Sequence, residues 1–392
     1  MIDTNRRAIL AGMCALPLAG CATLTRPAAS AAPRPAGVPA GPSLDAIAQQ
    51  GGRRFGSAVA WNAAGTGMSV TNPRYADLVK AECGLVVPEN ELKWQALRPS
   101  PDQFDFARMD RIAEWARAND KVLRAHTLLW HRPQWFPEWL NTYDFGATPV
   151  REAERLVTEH IRTVTQRYRG QIKSWDVINE AIDHDARKPI ETSLSRAMGS
   201  PEAVIDLAFH TAREQLPDSQ LVYNDYMSWE PQHAGHVADV LRLLEGMKKR
   251  GTPCDALGIQ SHIEMFELDP ATGSGVYDEA GWRRFLDEVT GMDYRLLITE
   301  FDVKDTALPA DIAARDAAVA DYTRRYFDVM MDYDGMLDDV LAWGMVDQFN
   351  WLQYFDPAKR ADGLQVRGTP YDDTYTAKPL RTALAQSLMP TA

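Results

Sequence analysis

Ser174-Trp175-Asp176-Val177-Ile178-Asn179-Glu180-Ala181 decides how the rest of the chain is read. An apolar, β-branched run ends in an amide and a carboxyl, the pattern of a buried parallel strand whose carboxy-terminal end carries chemistry. Outward from it, similar short runs occupy 54–60, 85–90, 122–130, 220–226, 256–262, 295–303 and 340–346, alternating with amphipathic helical stretches. This alternation marks βαβ units and a parallel sheet, and eight such runs predict a single (β/α)8 TIM barrel. The helix expected over 149–169 illustrates the outer layer. It sets Ala153, Leu156, Val157, His160, Ile161 and Val164 on one stripe and stops at Gly170. A chain of 392 residues, 45% hydrophobic, can bury one core of this size. Beyond the βα alternation the sequence carries no internal repeat.

A net charge of -12 argues against nucleic acid or an anionic membrane surface as the partner, and fits a neutral polymer. The first residues differ in composition from everything after them. Arg6-Arg7 precedes an apolar run, 8–18, that is too short to span a bilayer, so residues 1–21 read as an export signal of twin-arginine type. Leu18-Ala19-Gly20-Cys21 resembles a lipoprotein processing site, which implies a periplasmic, outer-membrane-anchored or extracellular location, with Cys21 as the only membrane link. Residues 22–42, rich in Ala, Pro and Gly, read as an extended tether, and the catalytic unit as 43–392. Cys83 and Cys254 precede the second and sixth runs, on opposite sides of a barrel and beyond disulfide reach. Free buried thiols are expected, with no metal and no cofactor. The acidic stretch 328–339 reads as a solvated amphipathic face rather than a cation site.

Polar residues gather where the runs end, which in a barrel is the catalytic face. The second run ends in Glu89-Asn90-Glu91-Leu92-Lys93-Trp94, and the third continues Arg124-Ala125-His126 to Trp130-His131. The fifth to eighth supply Tyr223-Asn224-Asp225-Tyr226, Gln260-Ser261-His262, Thr299-Glu300-Phe301-Asp302 and Trp343-Gly344, with Trp351 following in a loop. Cleavage of a glycoside needs one carboxyl to protonate the departing oxygen and another to meet the anomeric carbon. Glu180 and Glu300 suit this pair: they end runs four and seven, so they can converge across the barrel mouth. A retaining enzyme holds two such groups roughly 5 to 5.5 Å apart. Either glutamate alone would read as a salt-bridged rim carboxylate; the joint arrangement overturns that reading.

These segments, in this order and spacing, resemble glycoside hydrolase family 10 over roughly 44–388. The closest matches are 175–181, 298–302 and 89–93. The resemblance implies a retaining endo-β-1,4-xylanase acting on xylan or xylo-oligosaccharides as a monomer, with Glu180 as acid/base and Glu300 as nucleophile. It also implies that His262 bonds Glu300 and is fixed by Asp302, that Asn179 addresses the sugar 2-hydroxyl, and that Gln260 shares this subsite. By the same resemblance Glu89, Asn90, Lys93 and His126 bind the glycone, with His131 beside them. Trp130, Trp343 and Trp351 wall the cleavage subsite, the latter two crowding the place of a hexose hydroxymethyl. Asn224 and Tyr226 lie toward the aglycone. Trp94, Trp115 and Trp282 are left as packing.

The sequence departs from the family pattern at three places. Arg132-Pro133 stand where Ser and Gln often follow the histidine, and Met227 where Asn is common. A weaker polar contact is expected at the outer subsites. Two other classes compete: a different barrel glycosidase cutting glucan or mannan, against which the 89–93 segment argues, and a noncatalytic xylan-binding lipoprotein, for which loss of a glutamate would be the mark. Both glutamates are present.

Overall fold

The apolar runs become parallel strands because each is buried on both faces, between barrel interior and helices. The computed structural model describes residues 34–390, Ala64 excepted. Among these, the barrel strands are β1 Phe55–Val59, β2 Leu85–Pro88, β3 Val122–Ala125, β4 Ile172–Asn179, β5 Gln220–Asp225, β6 Ala256–Ile259, β7 Arg295–Lys304 and β8 Leu337–Ala342. Each pairs in parallel with the next. The pairing of Phe55 with Val340 joins β8 to β1 and closes the ring. The fold expected from the sequence is the fold observed.

A helix follows each strand: α1 Pro73–Glu82, α2 Ala107–Ala118, α3 Pro149–Tyr168, α4 Pro201–Gln215, α5 Ala234–Arg250, α6 Glu279–Gly291, α7 Ile312–Met331 and α8 Pro379–Ser387. Their starts follow local chemistry. Asn72, Ser200, Asp278 and Asp311 accept a backbone N–H of the first turn, and proline opens α1, α3, α4 and α8 where its missing donor is not needed. In α3 the stripe read from the sequence is buried. Trp94 and Trp282 are buried and Trp115 packs against the core. Cys83 and Cys254 are buried free thiols.

Three runs differ from their sequence reading. The third, read as continuous to 130, breaks after Ala125 and resumes as Leu129–Trp130. His126 Nδ1 lies 2.9 Å from Asp176 Oδ2 and the Thr127 hydroxyl donates to the Asp176 carbonyl at 2.9 Å, drawing these residues out of the ladder. The sixth breaks after Ile259 and resumes at His262–Glu264, with Ser261 at φ 60 in the gap. The eighth starts at Leu337, so the last three residues of the acidic stretch, 337–339, are strand rather than a solvated face. Asp338 pairs with Arg295, and Asp339 accepts the Arg54 N–H at 3.0 Å.

Residues 1–33 lie outside the described residues, and with them the expected export signal, Cys21 and most of the tether. The tether's end, from Pro35, belongs to the folded unit. Val38 packs on the core, the Gly37 carbonyl accepts from the Ala377 N–H at 3.2 Å, and Pro42 accepts from Arg381 at 3.0 Å. Among the described residues no helix is long and apolar enough to cross a membrane.

Candidate active site

Parallel pairing aligns the carboxy-terminal ends of the strands, so residues far apart in sequence meet at one mouth of the barrel. Glu300, on β7, is 5% exposed. Its Oε1 accepts from Asn224 Nδ2 at 2.8 Å, and its Oε2 faces His262 Nε2 at 3.3 Å. The other ring nitrogen of His262 lies 2.8 Å from Asp302 Oδ1, because the strand segment carrying His262 pairs in register with Asp302. Asp302 is anchored in turn: its Oδ2 accepts from Trp351 Nε1 at 2.7 Å and Asn350 Nδ2 at 3.3 Å.

Glu180 follows β4 with φ 50, a conformation that costs a non-glycine residue roughly 1–3 kcal/mol and tends to persist at functional sites. Its backbone N–H donates to the Asn224 carbonyl at 2.9 Å, which holds the turn against β5. The carboxyl accepts from Gln260 Nε2 at 2.9 Å on Oε1 and from Trp130 Nε1 at 3.0 Å on Oε2. Arg132 Nε stands 3.2 Å from the same Oε2.

The two carboxyls are pushed in opposite directions. Burial raises Glu180; Arg132 opposes this, and Asp225 adds to it. Burial alone would raise Glu300 too, but His126, the His262 hydrogen bond and charge, and Lys93 outweigh it and hold Glu300 at about 2. His262 moves the other way. Burial disfavours its charged form, yet Asp302 and Glu300 raise it to about 9, making the trio a carboxylate–imidazolium–carboxylate array.

The remaining sequence candidates divide. His126 lies 3.8 Å from Glu300 and its ring packs edge-on 5.3 Å from Trp343. Lys93, buried, donates to Asn90 Oδ1 at 2.9 Å, and its ammonium sits 4.5 Å from the Trp130 ring centre. Glu89 is half-buried nearby; burial raises it, while Lys93 lowers it. The Asn179 amide stands 2.9 Å from that of Asn224. Trp351 is 4.9 Å from the His262 ring, and Tyr226 is half-buried beside Arg132.

Two candidates sit elsewhere than expected. His131 is fully buried, bonded to the Ile190 carbonyl at 3.0 Å, and burial pushes it down to about 4; it is a neutral core residue outside the cleft. Asn224 is also fully buried, and it holds Glu300 instead of lining an aglycone wall. Thr299 donates to its Oδ1 at 2.7 Å, which fixes the amide orientation. Met227, 1% exposed, is core and makes no outer subsite contact.

Residues not singled out from the sequence complete the site. Asp176 orients His126 and is itself clamped by Arg124, 2.6 Å from Nη1. Asp225 accepts from the Tyr226 N–H at 2.8 Å and lies 3.0 Å from His236 Nε2. The available signal was a charge inside an apolar run: Arg124 between Leu123 and Ala125, Asp176 between Trp175 and Val177. Such charges are buried only when paired. Among the described residues no cluster of His, Cys, Asp and Glu could hold a metal ion.

Comparison with known proteins agrees with this geometry. The model of glycosyl hydrolase family 10 matches residues 43–387. Endo-1,4-beta-xylanase B of Thermotoga neapolitana is 26% identical over 80% of this chain and 83% of its own length. Endo-1,4-beta-xylanase C of Paenibacillus barcinonensis is 29% identical over 85% of this chain, which spans only 31% of that protein. The structure of xylanase 10B from Thermotoga petrophila in complex with xylobiose superposes with a TM-score of 0.75 at 26% identity, covering 90% of this chain and 98% of its own. The barrel, the paired glutamates at its mouth and a family match over most of the chain lead to one assignment: this protein belongs to glycosyl hydrolase family 10.

Proposed function

We propose that the protein is a retaining endo-β-1,4-xylanase with Glu180 as acid/base and Glu300 as nucleophile. The observation that carries this is that two carboxyls meet at one barrel mouth in opposite surroundings: half-buried Glu180, whose charge burial disfavours, and buried Glu300, held as an anion by His126, His262 and Lys93. In the first step a Glu300 oxygen bonds to the anomeric carbon while the bond from that carbon to the leaving oxygen breaks. The Glu180 proton passes to that oxygen. In the second step Glu180 takes a proton from water, the water oxygen bonds to the anomeric carbon, and the bond to Glu300 breaks. Asp302 and His262 hold Glu300 ionised and oriented before it attacks, and receive it again as a carboxylate when its bond to the sugar breaks.

Xylan as substrate is supported by the names of the relatives and by the xylobiose in the Thermotoga petrophila structure. Trp343 and Trp351, together with the glycone candidates Glu89, Asn90, Lys93 and His126, fit a chain of pentoses. The leader motifs support export, with Cys21 as the lipidation point; labelled fatty acid absent from the exported protein would overturn that part.

Reducing-sugar release is expected from xylan and not from Glu300→Ala, with β-configured ends formed first in an NMR time course. Glu180→Ala is expected to lose xylan hydrolysis yet still turn over a dinitrophenyl xylobioside, whose leaving group needs no proton. Preference for a β-1,4-glucan, or α-configured first products, would defeat the reading.

A further inference from the structure

Arg132 stands where the family resemblance expects a serine, on the loop that follows Trp130. Its side chain is 17% exposed. Nη2 donates to the Ile182 carbonyl at 2.9 Å and to the Tyr226 hydroxyl at 3.1 Å, and the guanidinium carbon lies 5.3 Å from the Tyr226 ring centre. These contacts hold Nε 3.2 Å from Glu180 Oε2. Among the described residues Nε is buried and makes no well-aligned hydrogen bond, so its N–H is available to an oxygen that gains charge.

We propose that Arg132 is a positioning residue for proton transfer, whose fixed charge makes Glu180 a stronger acid toward the leaving oxygen and holds the carboxylate left behind. The inference rests on the reading of Glu180 as acid/base. When the proton leaves Glu180 as the glycosidic bond breaks, the new anion already faces a guanidinium, which favours glycosylation. When that carboxylate must take a proton from water, the same charge weakens it as a base, so the second step bears the cost.

The other ionisable groups around Glu180 come from three elements. Lys93, after β2, adds positive charge; Asp225, at the end of β5, and Glu300, on β7, oppose it, while the Tyr226 phenol, also after β5, is pushed up and stays uncharged. After burial, Arg132 has the largest effect on Glu180 of any group.

The test is the pH dependence of kcat/KM for an unactivated xylo-oligosaccharide, whose basic limb reports the free acid. Arg132→Gln removes the charge while keeping an N–H for Ile182 and Tyr226. Arg132→Ser installs the residue the resemblance expects there, which guards against a variant that fails to fold. Both are expected to move the basic limb upward by about one pH unit or more, since a contacting guanidinium depresses a carboxyl by roughly 1–3 units. Arg132→Lys, which keeps a charge, is expected to leave the limb below that of either neutral variant. With a dinitrophenyl xylobioside no such displacement is expected. A limb unmoved in Arg132→Gln and Arg132→Ser, or moved equally with both substrates, would overturn the proposal. Glu180→Ala separates the two readings. If it retains the wild-type limb, the acid/base assignment itself fails; if it abolishes the limb while Arg132→Gln leaves it in place, only the role of Arg132 fails.

Discussion

Replacing Asp302 with Asn tests whether the array behind Glu300 is ionised. The substitution keeps the shape and an acceptor for Trp351, but removes the charge that most strongly raises His262. His262 stands at about 9 in the fold against an ordinary 6.5, and at about 1.4 kcal/mol per unit this is on the order of 3 kcal/mol. The sign follows from the direction. A histidine raised in the folded state stabilises fully below about pH 6.5, and that contribution is lost as pH climbs through about 9. In Asp302→Asn, His262 falls back toward its ordinary value and the variant lacks this pH-dependent part. Urea unfolding from about pH 6 to about pH 10 is therefore expected to show the wild type's advantage shrinking by up to about 3 kcal/mol. A gap that stays constant over that range would refute the ionised array.

Other consequences are more direct. Asn224→Ala strips Glu300 of a donor at 2.8 Å and leaves the Thr299 hydroxyl unpaired. At about 1.5–3 kcal/mol for a hydrogen bond to a charged group, kcat/KM should fall roughly 10- to 100-fold. Gly258→Ala should reproduce that loss from a neighbouring strand, because its Cβ would sit 2.3 Å from Asn224 Oδ1; wild-type activity there would show that Asn224 need not stay put. Trp94→Ala removes a buried core ring stacked 3.9 Å from His160. A loss of about 3–5 kcal/mol in chemical unfolding is expected, with the pH profile of kcat/KM unmoved.

The sequence by itself determined the barrel, because apolar runs with polar ends, separated by amphipathic helices, have few other ways to bury their surfaces. It also marked Glu180, Glu300, His262 and Asp302, since polar residues closing buried strands must face the mouth. Tertiary structure decided what each neighbour does. His131 and Asn224 occupy strand ends as legible as the others, yet one is core and the other grips Glu300; spacing along one strand cannot say which side chain on the next strand will meet it. The breaks after Ala125 and Ile259 were hidden for a similar reason, as they come from contacts to Asp176 and from Ser261's backbone rather than from any local turn signal. Arg132 shows the limit best. On paper it subtracts a polar contact from the family pattern; in three dimensions its cation lies against Glu180, because charge acts through space and the fold sets that distance.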